Sequence, residues 1–102
     1  AQQAVSYISR QTRDAIDAKK LNFKPDIDLR GMRVDEALYI ITNFIDDAVL
    51  LGVSRVRILH GTGTGALREL TRNYLRTVPQ VKHVRDEHVQ FGGAGITVVD
   101  LE

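Results

Sequence analysis

The chain has 102 residues, of which 43% are hydrophobic and 26% charged, with a net charge of +1. That length suits one domain with a single two-layer core and a tail, and it leaves no room for a second domain. There is no cysteine, which excludes a disulfide framework and a Cys-based zinc site. No apolar run approaches membrane-spanning length and no signal-peptide pattern opens the chain, so a cytoplasmic protein without a membrane partner is expected.

Residues 1–25 are expected to form a linker or loosely docked tail. Residues 1–20 are polar, and Val5, Ile8, Ala15 and Ile16 make only a thin apolar stripe. Pro25 then disfavours helical geometry at Lys24. From residue 26 to 102 the pattern is that of a folded domain. Asp26-Ile27-Asp28-Leu29-Arg30 alternates polar and apolar, the period of a half-buried strand, and Gly31 ends it. Val34, Ala37, Leu38, Ile41, Ile45, Ala48 and Val49 recur at helical spacing, and Gly52 stops that helix. Residues 55–59 alternate again. A glycine loop covers 61–65, and a second helix follows with Leu67, Leu70, Tyr74, Leu75 and Val78 on its core stripe. Pro79 closes it. Residues 81–85 read as a short third strand, 86–95 as a loop, and 96–101 as an apolar, β-branched final strand.

The order is β-α-β-α-β-β, an α/β domain. Right-handed βαβ crossovers make the first three strands parallel. The loop before the last strand is too short for a crossover helix, so that strand is expected to be antiparallel. Charge is uneven along the chain. Residues 53–80 carry Arg55, Arg57, Arg68, Arg72 and Arg76 against Glu69 alone, a net +4. Residues 34–52 carry Asp35, Glu36, Asp46 and Asp47 without a lysine or arginine, a net −4. Such a distribution accommodates an anionic partner on one side of the fold, and equally two ordinary solvated helix faces.

Four groups of residues bear on chemistry. Asp28 and Arg30 share one side of the first strand at its C-terminal end, the edge at which α/β sheets tend to bind ligands. They can hold a phosphate and a water, or simply each other. His60 precedes Gly61-Thr62-Gly63-Thr64-Gly65 between a strand and a helix. Glycine lets a ligand approach the backbone, and the helix start welcomes an anion. No Lys-Ser/Thr pair follows the last glycine, so this is not a P-loop, and the spacing is not the dinucleotide fingerprint. Imidazole is the usual acid or base near neutral pH, and a strand-end histidine also serves as a hydrogen-bonding group. Arg68, Arg72 and Arg76 form an i, i+4, i+8 stripe whose planar forks suit phosphate, or make a solubilising face. Gly92-Gly93-Ala94-Gly95 is either a flexible hairpin loop or a place of close approach for a nucleic-acid strand. His83 and His88 define no metal set with His60, and no tight metal site is expected.

Asp28-Leu29-Arg30-Gly31, then His60-Gly61-Thr62-Gly63-Thr64-Gly65 running into Leu67-Arg68, then Gly92-Gly93-Ala94-Gly95-Ile96-Thr97-Val98-Val99, resembles the Smr domain in order and spacing over residues 26–102. Arg30 stands where stand-alone members usually have histidine. The arginine form resembles Smr domains at the C-terminus of bacterial MutS-type ATPases of the second MutS class and in plant organellar RNA-cutting proteins. The resemblance implies a two-layer β-α-β-α-β-β fold like the C-terminal domain of translation initiation factor three. Its mixed four-stranded sheet has order 1-2-4-3, with both helices on one face. It implies an endonuclease that nicks DNA or cleaves RNA, in DNA recombination and repair or in ribosome rescue. The partners would be DNA (branched DNA included) or RNA and the ribosome, with parent ATPase domains in cis.

On that resemblance Asp28, Arg30 and His60 are the catalytic candidates. Gly61, Thr62, Gly63, Thr64, Gly65, Arg68, Arg72, Gly92 and Gly93 are the nucleic-acid-binding ones. His60 would deprotonate water or a ribose 2′-hydroxyl, Asp28 would orient His60 or hold a water or divalent ion, and Arg30 with the loop amides would hold the phosphate. RNA cleavage through the 2′-hydroxyl needs no metal, whereas DNA hydrolysis favours Mg²⁺ or Mn²⁺. ATP would belong to the parent protein alone. The alternative is a non-catalytic module that grips DNA or ribosomal RNA and positions the parent ATPase. A protein-docking role for the two-helix layer is a further rival.

Overall fold

A computed structural model of the chain describes residues 12–15, which are helical, and residues 22–102. Most of the expected 1–25 tail, including its expected weak packing, lies outside the described residues. Phe23, at the edge of the domain, stacks on Phe44 with ring centroids 5.4 Å apart.

Four strands make one mixed sheet: β1 (Asp26–Asp28), β2 (Arg55–Leu59), β3 (Val81–Asp86) and β4 (Ile96–Leu101), in spatial order β1-β2-β4-β3. β1 is parallel to β2, and β4 runs antiparallel to both β2 and β3. The first three strands are therefore mutually parallel and the last is reversed, as the connection lengths require. The third strand extends to Asp86, a position the pattern assigns to a loop.

Helix α1 (Val34–Leu50) buries Ala37, Ile41, Phe44, Ile45 and Ala48, one stripe of its surface. Asp35 and Glu36 in its first turn complement the positive end of the helix dipole. It ends where Gly52 takes φ +70°. There Val53 N–H bonds to Ala48 O and Gly52 N–H to Val49 O, the paired closure that a left-handed glycine permits. Helix α2 (Ala66–Leu75) starts after Gly65 at φ +83° and buries Thr71 and Leu75. Its last turn loosens into i→i−3 bonds from Thr77 and Val78 before Pro79.

Both helices pack on one face of the sheet. Leu29, Ala37, Ile41, Phe44, Ile45, Ala48, Val56, Ile58, Leu75, Val99 and Leu101 form the core between the layers. Neither α1 nor α2 covers the opposite, open face. Strand alternation and register place Asp26, Asp28, Arg55, Arg57, Leu59, Arg85, Val98 and Asp100 there. No helix among the described residues is long and apolar enough to cross a membrane.

The two sides of α1 should respond differently to truncation. Ile41 is fully buried, so Ile41→Ala should cost about 2–5 kcal/mol by urea denaturation. Tyr39 is 72% exposed, and Tyr39→Ala should stay within about 0.5 kcal/mol. Equal effects from the two would contradict the orientation of the helix.

Candidate nucleic-acid interface

The C-terminal end of β2 meets three turns. Leu29 N–H donates to Leu59 O at 2.7 Å, which sets the β1 turn beside the glycine loop. Gly95 O accepts from both His60 N–H (3.1 Å) and Gly61 N–H (3.0 Å), which fastens the 87–95 loop to the same place. Gly61 adopts φ +77° and packs beside the Arg30 side chain, and Gly95 lies against the Gly61 backbone. An open cleft of about 300 Å³ lies between the β1 turn and the start of α2. His60, the 61–65 loop and Arg68 are among its walls, with Gly31, Met32 and Val34 opposite.

The strand ends come together as the sequence suggests, but the side chains divide. Asp28 is level with Leu59 on the open face. Its carboxylate accepts from Arg30 N–H at 3.0 Å, so it shapes the turn, and from Arg30 Nε (2.9 Å) and Nη2 (2.7 Å). The Arg30 hydrogen bonds hold the Asp28 carboxyl at about 2. Asp28 and Arg30 thus satisfy one another beside the glycine loop.

His60 lies on the helix side and is 5% exposed. Its hydrogen-bond partners are Gly61 and Thr97, not Asp28. Nδ1 is 2.8 Å from Gly61 O, and a carbonyl can only accept, so Nδ1 carries the proton. Nε2 then accepts from the Thr97 hydroxyl at 2.7 Å. Burial lowers the imidazole's pKa below its ordinary value, the Gly61 hydrogen bond opposes that, and the charges of Arg68 and Arg72 lower it further. The neutral ring is therefore the resting form at neutral pH.

The carboxylate that reaches His60 electrostatically is Asp86, at the end of β3 and level with Thr97. Arg68 Nη2 (2.9 Å) and Arg72 Nη2 (2.5 Å) both donate to its Oδ1. The Arg68 hydrogen bond leads in holding Asp86 below the usual carboxylate range. The arginine stripe is accordingly split. Arg68 and Arg72 join His60, while Arg76 turns to Asn73 at 2.9 Å. Thr62 and Thr64 line the cleft, and Thr64 Oγ1 accepts weakly from Ala66 N–H at 3.3 Å. Gly92 and Gly93 lie in the second loop, outside the cleft lining. Sequence reasoning missed Asp86 and Thr97. The alternation of Thr97 with Val99 and Leu101 marks it as core-facing, but no local signal marks Asp86.

The sign of this coupling is testable. The His60 ring, followed by NMR, should titrate below 6.5, and Asp86→Asn should move it lower, because a negative charge is lost while Arg68 and Arg72 still face the ring. Below pH 6.5 the unfolded chain binds more protons than the folded one at this position. The contribution of neutral His60 to stability is therefore full above 6.5 and declines as pH falls through that region. A raised or unchanged titration in Asp86→Asn would disconnect the trio from the ring.

The Smr domain family model matches residues 27–102. The chain is 47% identical over 78 residues to Endonuclease MutS2 of Halalkalibacterium halodurans, covering 76% of this chain and 10% of that protein. It is 46% identical over 84 residues to Endonuclease MutS2 of Symbiobacterium thermophilum, covering 82% and 11%. The chain thus spans about a tenth of the length of these curated relatives. The crystal structure of the Smr domain of Thermus thermophilus MutS2 superposes with a TM-score of 0.72 at 44% identity, over 76% of this chain and 96% of that one. YdaL, a stand-alone small MutS-related protein from Escherichia coli, shares the fold at a TM-score of 0.72 and 24% identity, over 76% of this chain and 63% of that one. With the family model matched over residues 27–102 and MutS2 relatives 46–47% identical over more than three quarters of its length, the chain belongs to the Smr domain family.

Proposed function

We propose that this chain is the nucleic-acid-binding endonuclease module of a MutS2-type ATPase, with the cleft beside the 61–65 loop as its phosphate site. One observation carries the reading: a neutral histidine, His60, lines a cleft walled by a glycine loop, a helix N-terminus and Arg68. The first-turn N–H groups of α2 have no intrahelical partners and suit an anion. Arg68 supplies the charge, and the glycines leave the backbone open to a phosphodiester.

In the cleavage step a hydroxyl, from water or a ribose 2′ position, attacks phosphorus as its proton passes to His60 Nε2. The phosphorus–oxygen bond to the leaving strand breaks, and that oxygen takes up a proton from solvent water. Nε2 is engaged by Thr97 at rest, so this role requires the ring to leave Thr97 and turn toward the cleft. Arg68 and the α2 amides offset the charge that builds on the phosphoryl oxygens. Asp28 and Arg30, on the far side of the glycine loop, would hold the strand as it crosses the sheet edge. The parent ATPase domains in cis and their ATP follow from the relatives' architecture, as proposals for a longer protein.

The Mg²⁺ or Mn²⁺ that a DNA-hydrolysis route would favour meets a poor donor set. Among the described residues no three His, Asp or Glu side chains converge. The carboxylates flanking the cleft are held by arginine, Asp28 by Arg30 and Asp86 by Arg68 and Arg72. These residues do not fit a resident divalent ion, and no step is assigned to one.

A second reading, a binding-only module, is favoured by the resting state of His60, whose two ring nitrogens already have partners. Cleavage and affinity measured on the same labelled RNA and DNA oligonucleotides separate the two. The endonuclease reading expects His60→Ala to lose about 10²–10⁴-fold in rate with affinity nearly intact. Arg68→Ala should weaken binding to all sequences alike and flatten the salt slope by about 1 unit. Absence of cleavage by the unmutated chain, with binding retained, leaves the binding-only reading. Unchanged cleavage in His60→Ala removes His60 from the chemistry.

A further inference from the structure

The 87–95 loop presents an apolar surface that the core does not use. Phe91 is 65% exposed and Val89 87% exposed. An exposed ring on a loose loop would mean little, but this loop is tied down along its length. Phe91 N–H and Gly93 N–H both donate to His88 O, at 2.8 and 3.1 Å. His88 N–H donates to Glu87 Oε1, and Gln90 N–H to His88 Nδ1. Glu87 Oε2 accepts from Arg57 Nε at 2.8 Å, and Arg57 Nη2 reaches Phe91 O at 3.4 Å. Gly92 sits at φ +130°, where a Cβ would collide with Ile96. The His88 ring braces the Phe91 ring, with centroids 5.9 Å apart and planes tilted by 55°. The ring is therefore preorganised toward solvent.

Its position matters as much as its exposure. Four residues after Phe91, Gly95 O binds the His60 and Gly61 amides at the rim of the cleft. Through Arg57 the loop also touches the open sheet face, where Arg57 and Arg85 flank Val98 in neighbouring strands. Phe91 is thus tied through its carbonyl and Arg57 to the sheet face, and through the same loop's Gly95 to the rim. Gly61 and Gly95 pack backbone to backbone at the rim, with the Arg30 and Thr62 side chains alongside. The charged groups nearby are largely paired, Arg57 with Glu87 and Arg55 with Asp100. What this patch adds to binding is thus an aromatic face rather than net charge.

Resting on the nucleic-acid reading of the cleft, we propose that Phe91, braced by His88 and flanked by Val89, is a stacking platform for one unpaired nucleobase next to the phosphate held in the cleft. A base inside a duplex is already stacked on both faces and cannot use such a ring. The domain therefore takes a single-stranded, bulged or flipped-out segment in preference to an intact duplex. Stacking of this kind tolerates any base, so the platform selects strand state and not sequence.

The chain contains no tryptophan, so Phe91→Trp installs a single fluorescent reporter. Its emission should be quenched by single-stranded oligonucleotides, and not by an abasic strand of equal length and charge or by a blunt duplex. Phe91→Ala should lose roughly 5- to 100-fold in affinity for single strands, with little change for duplex and an unaltered salt slope. Phe91→Tyr should restore binding. Circular dichroism and urea melting of Phe91→Ala should match the unmutated chain, because the ring is outside the core. Single-strand binding that ignores Phe91→Ala, or quenching by the abasic strand as strong as by the base-bearing one, overturns the platform while leaving the nucleic-acid reading in place. Failure of the unmutated chain to bind any oligonucleotide overturns that reading and the platform with it. Loss of affinity for a protein partner alone reassigns Phe91 to a protein contact and also overturns the proposal.

Discussion

The insertion of β4 between β2 and β3 is the constraint on which the rest of the structure depends. A strand paired on both edges has all its backbone groups satisfied and cannot shift register without breaking two ladders. Its side chains are accordingly the most enclosed of the four strands, with Thr97, Val98, Val99 and Leu101 all buried. Because β4 runs antiparallel to its neighbours, its beginning lies at the C-terminal ends of the other strands. The glycine turn that enters β4 thereby delivers Gly95 O to the amides of His60 and Gly61, and Thr97 to the ring of His60. The same pairing sets Asp86 level with Thr97, within the field of Arg68 and Arg72.

The sheet edge consequently presents two different polar clusters. On the helix side His60, Thr97, Asp86, Arg68 and Arg72 form a connected, partly desolvated group. There burial and two guanidinium groups keep the imidazole neutral despite the Gly61 carbonyl and the Asp86 charge. On the open side Asp28 and Arg30 form an exposed bidentate pair that also makes the β1 turn. Between them runs the glycine loop, with Thr62 and Thr64 as its side chains. Arg68 and Arg72 already share a carboxylate, so a phosphate that engages them competes with Asp86 and does not meet two bare charges.

Much of the fold was legible in the chain. The switch from period 2 to helical spacing at Gly31, the stop at Gly52 and the glycine loop before α2 mark elements whose observed bounds differ by a few residues. Connection length alone determined that the last strand runs antiparallel, because residues 86–95 cannot span a crossover. Order 1-2-4-3 was not available from periodicity, which is blind to neighbours. It came from the resemblance. The fraying of α2 after Leu75 and the extension of β3 to Asp86 depend on pairing partners, and no local window contains those.

The sequence by itself determined which residue types gather at the sheet edge: a carboxylate and guanidinium after β1, and a histidine and glycine loop after β2. Strand alternation already separates Asp28 from its neighbours Ile27 and Leu29, and His60 continues the inward phase of Val56 and Ile58. Which of these groups would meet was decided only by the tertiary structure. His60 found Thr97, 37 residues further along, and Asp86 found Arg68 and Arg72 across α2. The physical reason is that a hydrogen bond or ion pair between distant residues is set by strand order and register, which emerge only when the two layers close on their common core.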